Sequence, residues 1–282
     1  MRLNEFFTVR RGTLNESGSL PGVGAIHISE IDPTLSYLEQ ALGIELKDKA
    51  LGSVGKRDFS GDIDLAMDIS REQADELVAK LSKIPGVSDV TKGAVVMSKV
   101  KIRNYDPSKE TDRPRTGFVQ VDFMLGDPAW LKTYYHSPGQ DESKYKGGVR
   151  TILISVIAAL YDRQDSQETT EDGRPLKSQR YLFSPRDGLV KIIQTPVPKK
   201  SGTGYTKKNH NEIIEGPWRD ADSIAKQLGL GTADALNSYE SLKAAMENSY
   251  PPELTEKILT AFANTGELAR HGVPDDIAHL RQ

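Results

Sequence analysis

The chain contains no cysteine among its 282 residues. This excludes disulfide bonds, thiolate zinc sites and cysteine nucleophiles, and it fits a reducing compartment. The net charge is only −3, so the composition as a whole does not indicate nucleic-acid binding. No apolar run approaches the roughly 18 residues of a membrane-spanning helix, and the N-terminus lacks a signal-peptide pattern. We therefore expect a cytoplasmic globular protein with no membrane partner.

Charge is unevenly distributed along the chain despite the small net value. Residues 92–115 carry seven basic and three acidic side chains, and residues 186–208 carry six basic and one acidic. The last 71 residues, 212–282, carry twelve acidic and six basic side chains. The two basic segments are suited to contact a polyanion, although each is also typical of a solvated surface loop.

The first half of the chain alternates short apolar strands with helices. We predict strands at 24–29, 59–69, 94–103 and 118–125 from the period-two pattern. One helix is expected to begin at Asp32, with Pro33 at its first helical position. A second is expected to run from Ser70 to about Lys83, because Ser70 and Gln73 have the spacing of a capping box. Residues 1–24 are rich in turn formers and are expected to be extended or loosely ordered.

The second half has a different pattern. We predict helices at 127–137 and 144–163, a hairpin of strands 177–184 and 188–197, and a basic glycine-rich loop at 199–209. Helical segments follow from residue 216. The sequence thus predicts an α+β protein in which a mixed sheet with helices precedes a helical C-terminal region. The expected domains are 1–126, 127–215 and 216–282.

Three carboxylates are placed where a strand that only had to fold would not need them. Asp62 and Asp64 are two residues apart on one predicted strand, so their side chains point to the same face. Asp122 lies in the middle of an otherwise apolar strand, where a lone acid needs a partner. If the two strands are neighbours, the three carboxylates converge. Such oxygen ligands suit Mg²⁺ or Mn²⁺ and can hold two ions about 3.5–4 Å apart for phosphoryl transfer.

A glycine-serine turn lies just before the acidic strand. Gly52 and Gly55 allow backbone N–H groups to face a ligand, and Ser53 adds a hydroxyl. Lys56 or Arg57 adds a positive charge. Backbone amides, a hydroxyl and a cation together are typical of phosphate binding, so the turn is a candidate phosphate site beside the candidate metal ligands.

These motifs resemble the signature of the DNA polymerase β nucleotidyltransferase superfamily, and most closely its family X polymerases. The chain as a whole also resembles uncharacterised nucleotidyltransferases encoded by bacteriophages, which would place it in a host cytoplasm. The residues that carry the resemblance are Gly52, Ser53, Ser60, Gly61, Asp62, Ile63, Asp64, Leu65 and Asp122. The later segment 134–150 is similar to the run that these polymerases use around the incoming nucleotide.

The resemblance implies a polymerase β-like palm fold and a role for each matching residue. Asp62 and Asp64 would hold both Mg²⁺ or Mn²⁺ ions, and Asp122 would join the catalytic ion. The triphosphate would be bound by the turn and its neighbours, and the incoming nucleotide by the later segment. The implied nucleotide-binding residues are Gly52, Ser53, Lys56, Gly61, Tyr135 and Arg150.

The expected reaction is transfer of a nucleoside monophosphate from a nucleoside triphosphate (NTP) to an acceptor hydroxyl, with release of pyrophosphate. The basic segments favour a nucleic-acid acceptor, such as the 3′ end of an RNA or tRNA. Two alternatives remain open at this point: a small-molecule or protein acceptor, and a non-catalytic nucleotide- or RNA-binding module of the same fold. The sequence does not predict an oligomeric state.

Overall fold

A computed structural model describes residues 20–201 and 203–281, which form two compact units. The N-terminal unit comprises described residues 20–147, and the C-terminal unit comprises described residues 148–281. Both units combine helices with β-sheet, which confirms the expected α+β class. The expectation for residues 1–19 lies outside the described residues.

The N-terminal unit is built on one mixed four-stranded sheet. Its order is β3-β6-β5-β4, with β3 parallel to β6 and the other pairs antiparallel. A separate two-stranded pair joins β1 to β2. The elements are β1 (Ile26–His27), α1 (Ile28–Leu42), β2 (Phe59–Ser60), β3 (Asp62–Met67), α2 (Arg71–Leu81), β4 (Val87–Lys92), β5 (Val95–Lys101), β6 (Phe118–Leu125) and α3 (Pro128–Tyr134).

Alternation along β3 and β6 decides which side chains enter the core of this unit. Ile63 and Leu65 are fully buried, and so are Val121 and Phe123 on the neighbouring strand. They share one cluster with apolar residues of α1 and α2. Because side chains alternate along a strand, the polar residues between them point to the opposite face of the sheet.

Helix α1 begins five residues before the predicted start, so the prediction that Asp32 caps it is wrong. His27 is the N-cap, and its backbone N–H donates to Glu30 Oε2 at 3.0 Å. Glu30 is buried and pairs with Arg115, whose Nη2 lies 2.8 Å from Glu30 Oε1. This tertiary contact holds Glu30 in the first turn, so Pro33 lies inside the helix.

Helix α2 confirms the predicted capping box. The Gln73 N–H donates to Ser70 Oγ at 3.2 Å, and the Ser70 N–H donates to Gln73 Oε1 at 2.7 Å. We expect Ser70→Ala to lower the free energy of unfolding by about 1 kcal/mol. Urea denaturation measures this change. Ser88→Ala, at an exposed strand serine, is the control and should change it by less than about 0.5 kcal/mol; equal losses in both variants would contradict the capping role.

The N-terminal unit extends past residue 126, where the sequence suggested a domain boundary. Helix α3 begins at Asp127, whose side chain accepts from the Ala129 N–H at 2.9 Å. Its Leu131 packs with Leu51 and Ala66 on the sheet face opposite the main core. This second, smaller apolar cluster keeps the chain in the same unit up to Gly147.

The C-terminal unit contains an antiparallel sheet of order β10-β9-β8-β7 and several helices. The predicted hairpin β8–β9 and the helix after residue 144 are confirmed. Strand β10 occupies much of the predicted loop and was not expected, because it is mostly exposed and lacks apolar alternation. The elements are α4 (Gly147–Leu160), β7 (Gln164–Asp165), β8 (Ser178–Ser184), β9 (Gly188–Pro198), β10 (Tyr205–Trp218), α5 (Ala221–Gln227), α6 (Tyr239–Ser249), α7 (Pro252–Ala263) and α8 (Leu268–His271).

No helix within residues 20–201 and 203–281 is both long enough and apolar enough to cross a membrane. The most apolar, α4, has 14 residues, and about 20 are needed to span the hydrocarbon layer.

Candidate active site

Three carboxylates lie on one face of the N-terminal sheet. Asp64 on β3 is the direct neighbour of Asp122 on β6, and Asp62 is the neighbour of Gln120. Strands in a sheet are about 4.8 Å apart, and adjacent residues in register share a face. The pairing of these two strands, which the sequence left open, makes Asp64 and Asp122 direct neighbours and puts Asp62 on the same face.

Asp122 is the most buried of the three acids, with 5% of its surface exposed. Its carboxylate accepts from Gln120 Nε2, at 2.8 Å for Oδ1 and 3.0 Å for Oδ2. Burial raises the pKa of Asp122 to about 6, and the hydrogen bond from Gln120 only partly opposes this. A carboxylate this poorly solvated is stabilised by a nearby cation.

Gln120 is part of this arrangement although sequence reasoning did not select it. Its side chain is fully buried. Its amide oxygen accepts from the Leu20 N–H at 3.1 Å, which orients the amide nitrogen toward Asp122. The available signal was its position two residues before Asp122, on the same face of a strongly apolar strand.

The glycine-serine turn lies directly against the acidic strand. The Leu51 N–H donates to the Asp64 carbonyl at 2.9 Å. Gly52 has a φ of 63°, which favours glycine. A Cβ atom at that position would lie 3.8 Å from Asp64 Oδ2. The turn therefore brings the backbone at Gly52 next to the Asp64 carboxylate, and the following residue, Ser53, is partly exposed.

The basic residues that follow the turn contact the segment after α3. Lys56 Nζ donates to the Ser137 carbonyl at 2.7 Å. Arg57 Nη2 donates to the carbonyls of Ser143 and Tyr145, at 3.0 Å and 3.2 Å. These bonds tie the turn to residues 137–145, so Lys56 has a structural contact in addition to its predicted role on the triphosphate.

Tyr135 lies at the end of α3 and faces the acids. The pKa of its hydroxyl is raised by burial and, to a lesser degree, by the negative charges of Asp64 and Asp122. Its ring also makes an edge contact with Tyr134, at 4.9 Å between centroids. A neutral phenol beside two carboxylates is a polar group that can contact a bound ligand.

Within residues 20–201 and 203–281, no set of three His, Cys, Asp or Glu side chains is arranged to hold a metal ion. The donor set nevertheless fits Mg²⁺ or Mn²⁺, because it consists of carboxylate oxygens on one sheet face. The buried Asp122 beside Asp64 is a like-charge pair whose repulsion a cation would relieve.

The structure brings most of the predicted site residues together in the N-terminal unit, and Gly61 directly precedes β3. Arg150 is different, because it lies on α4 in the C-terminal unit. There it is buried and its Nε donates to the Leu236 carbonyl. Comparison with protein-family models, curated proteins and solved structures found no match for this chain.

Proposed function

We propose that this protein is a metal-dependent nucleotidyltransferase with a polymerase β-like palm in its N-terminal unit. It would transfer a nucleoside monophosphate from an NTP to an acceptor hydroxyl and release pyrophosphate. The observation that carries the proposal is the parallel pairing of β3 with β6, which makes Asp64 and Asp122 direct neighbours. The adjoining glycine-serine turn, hydrogen-bonded to Asp64, supplies phosphate-binding groups at the same place.

Each side chain has a role that follows from its position. Asp62, Asp64 and Asp122 would hold Mg²⁺ or Mn²⁺, which when bound neutralises triphosphate charge and polarises the phosphoryl group. Ser53 and the backbone N–H groups of the turn would donate to the phosphate oxygens. Tyr135 would line the nucleotide side of the site, where its neutral hydroxyl can donate a hydrogen bond.

The acceptor is inferred from the two basic segments, which differ in how many of their charges are paired with acidic side chains. In residues 92–115, much of the charge is used internally. Lys92 lies 2.7 Å from Asp75, and Arg115 pairs with the buried Glu30. The other segment ends in the β9–β10 hairpin, which we call the basic hairpin.

The tip of the basic hairpin carries four exposed lysines that make no ion pair with the residues that the structure describes: Lys199, Lys200, Lys207 and Lys208. Arg174 supports the hairpin from the preceding loop, since its Nη2 donates to the Thr206 carbonyl at 2.8 Å. Exposed lysines on a supported hairpin favour a polyanionic acceptor, and we propose a nucleic acid such as an RNA 3′ end.

A labelling experiment tests both parts of the proposal. We expect label from an α-labelled NTP to appear on RNA in the presence of Mg²⁺ or Mn²⁺, and RNA binding to weaken steeply with salt. Salt dependence is measured as the slope of log K for RNA binding against log salt concentration. Replacing the four hairpin lysines by glutamine should make this slope less steep by up to about 3. The control variant is Lys92→Gln, because the charge of Lys92 is already paired with Asp75.

The outcomes separate the remaining possibilities. Salt-independent labelling of a small molecule or a protein would contradict the nucleic-acid acceptor while leaving the reaction type in place. Binding of NTP or RNA without label transfer to any acceptor would contradict catalysis and favour a non-catalytic binding module.

A further inference from the structure

Arg180 is a buried cation whose partner is missing from the described part of the chain. It lies in the middle of β8 with 9% of its surface exposed. Its side chain makes no hydrogen bond or ion pair with any of residues 20–201 and 203–281. A buried charge without an ion pair is destabilising, so an anion bound at this position would stabilise the guanidinium.

Ser178 provides a second, independent signal on the same strand. It is two residues before Arg180, so both side chains point to the same face of the C-terminal sheet. Ser178 is 2% exposed, and its hydroxyl has no hydrogen-bond partner among the described residues. Buried hydroxyl groups are nearly always hydrogen-bonded. Two neighbouring donors therefore lack an acceptor on the same face.

The nearby side chains on this side of the sheet do not satisfy these donors. Asp165 on β7 is the register neighbour of Ser178, but both of its carboxylate oxygens contact Arg163 Nε, at 2.9 Å and 3.0 Å. Gln194 on β9 is the other neighbour of Ser178, and its Nε2 donates to Asn211 at 3.0 Å. The Asp165 carboxylate is thus paired with Arg163, and the Gln194 amide nitrogen with Asn211.

The charge state of Arg180 also favours an anion. Burial, and then the positive charge of Arg163, lower the pKa of Arg180 to about 10. The guanidinium therefore remains charged at neutral pH. The positive charge of Arg163 and the negative charge of Asp165 both act on Arg180, and they oppose each other.

We propose that Arg180 and Ser178 form an oxyanion site in the C-terminal unit that binds a phosphate group. A phosphate presents several oxygens at once, so one group can accept from both the planar guanidinium and the hydroxyl. The site uses none of the carboxylates of the N-terminal sheet. It therefore does not depend on the proposed nucleotidyl transfer, and it can be tested by phosphate binding without measuring enzyme activity.

Binding of inorganic phosphate to the full chain tests the site. In titration calorimetry we expect saturable binding to the wild type, compared with KCl at matched ionic strength. Arg180→Met should weaken this binding about tenfold or more, the loss expected for a charge-assisted hydrogen bond. Arg186→Met is the matched control, because Arg186 lies just beyond the same strand with 86% of its side chain exposed. It should bind phosphate like the wild type.

Ser178→Ala keeps the test decisive if Arg180→Met fails to fold. Removing an unpaired buried hydroxyl should leave the phosphate-free protein at least as stable in thermal unfolding, while phosphate affinity falls several-fold. Tighter binding of AMP, or of a 5′-phosphorylated oligonucleotide, than of phosphate would identify the source of the phosphate group. The proposal is overturned if the wild type shows no saturable binding to any of these probes, or if both variants bind them as tightly as the wild type.

Discussion

Asp62→Asn or Asp64→Asn is expected to lower nucleotidyl transfer by a factor of about a thousand or more. Each change removes a negative charge from the group that would hold the metal ions. Metal stabilisation of the transferred phosphoryl group contributes several kcal/mol, and about 1.4 kcal/mol corresponds to a factor of ten in rate. Both side chains are only partly buried, so the fold should persist.

The measurement is the rate of label transfer from an α-labelled NTP at saturating Mg²⁺, and again with Mn²⁺. Asp68→Asn is the matched control, because Asp68 is an exposed acid just beyond the end of the same strand. It should retain nearly the wild-type rate. Wild-type labelling by Asp62→Asn or Asp64→Asn would contradict the site, and so would an equal loss in Asp68→Asn.

Asp122→Asn is expected to abolish metal-dependent transfer and yet to stabilise the metal-free protein at neutral pH. Burial raises the pKa of Asp122 from the ordinary 3.8 to about 6. Well below pH 4 the carboxyl is protonated in both the folded and the unfolded state, so burial carries no charge penalty. As the pH rises from about 4 to about 6, the unfolded state releases the proton while the folded state keeps it, so the wild type loses stability, and the loss is complete above about pH 6.

The rise of the Asp122 pKa from 3.8 to about 6 corresponds to a loss of on the order of 3 kcal/mol in the stability of the wild type. Asparagine has nearly the same shape and can still accept from Gln120, so the variant should escape the penalty. Urea unfolding in EDTA between pH 4 and pH 8 measures the difference between wild type and variant. Mg²⁺ should stabilise the wild type more than the variant, which keeps Asp62 and Asp64 but lacks the third carboxylate.

Asp68→Asn again serves as the control, and its stability difference from the wild type should not change over this pH range. A difference between wild type and Asp122→Asn that is flat with pH would contradict the burial argument. A variant that is less stable than the wild type at pH 7.5 in EDTA would contradict it as well.

Local pattern was enough to predict the main features of the N-terminal unit. The period-two alternation of β3 and β6 identified both strands and placed their acids opposite the apolar core residues. The spacing of Ser70 and Gln73 identified the start of α2. These features depend on neighbouring residues in the chain, so the sequence contains what is needed to predict them.

Features that depend on distant contacts were missed. The start of α1 is set by Glu30, which is held by Arg115 from another part of the chain. Strand β10 has little apolar pattern of its own and is ordered by pairing with β9. In such segments, tertiary contacts outweigh the helix or strand propensity of the local sequence.

The sequence by itself determined which residues share a face of each strand, because side chains alternate with a period of two whatever the strand pairs with. It therefore determined the common face of Asp62 and Asp64. Only the tertiary structure decided that Asp122 is the neighbour of Asp64, that Gln120 holds it, and that Arg180 is buried without an ion pair among the residues that the structure describes. Pairing and burial depend on segments far apart in the chain, whose contacts exist only once the chain has folded.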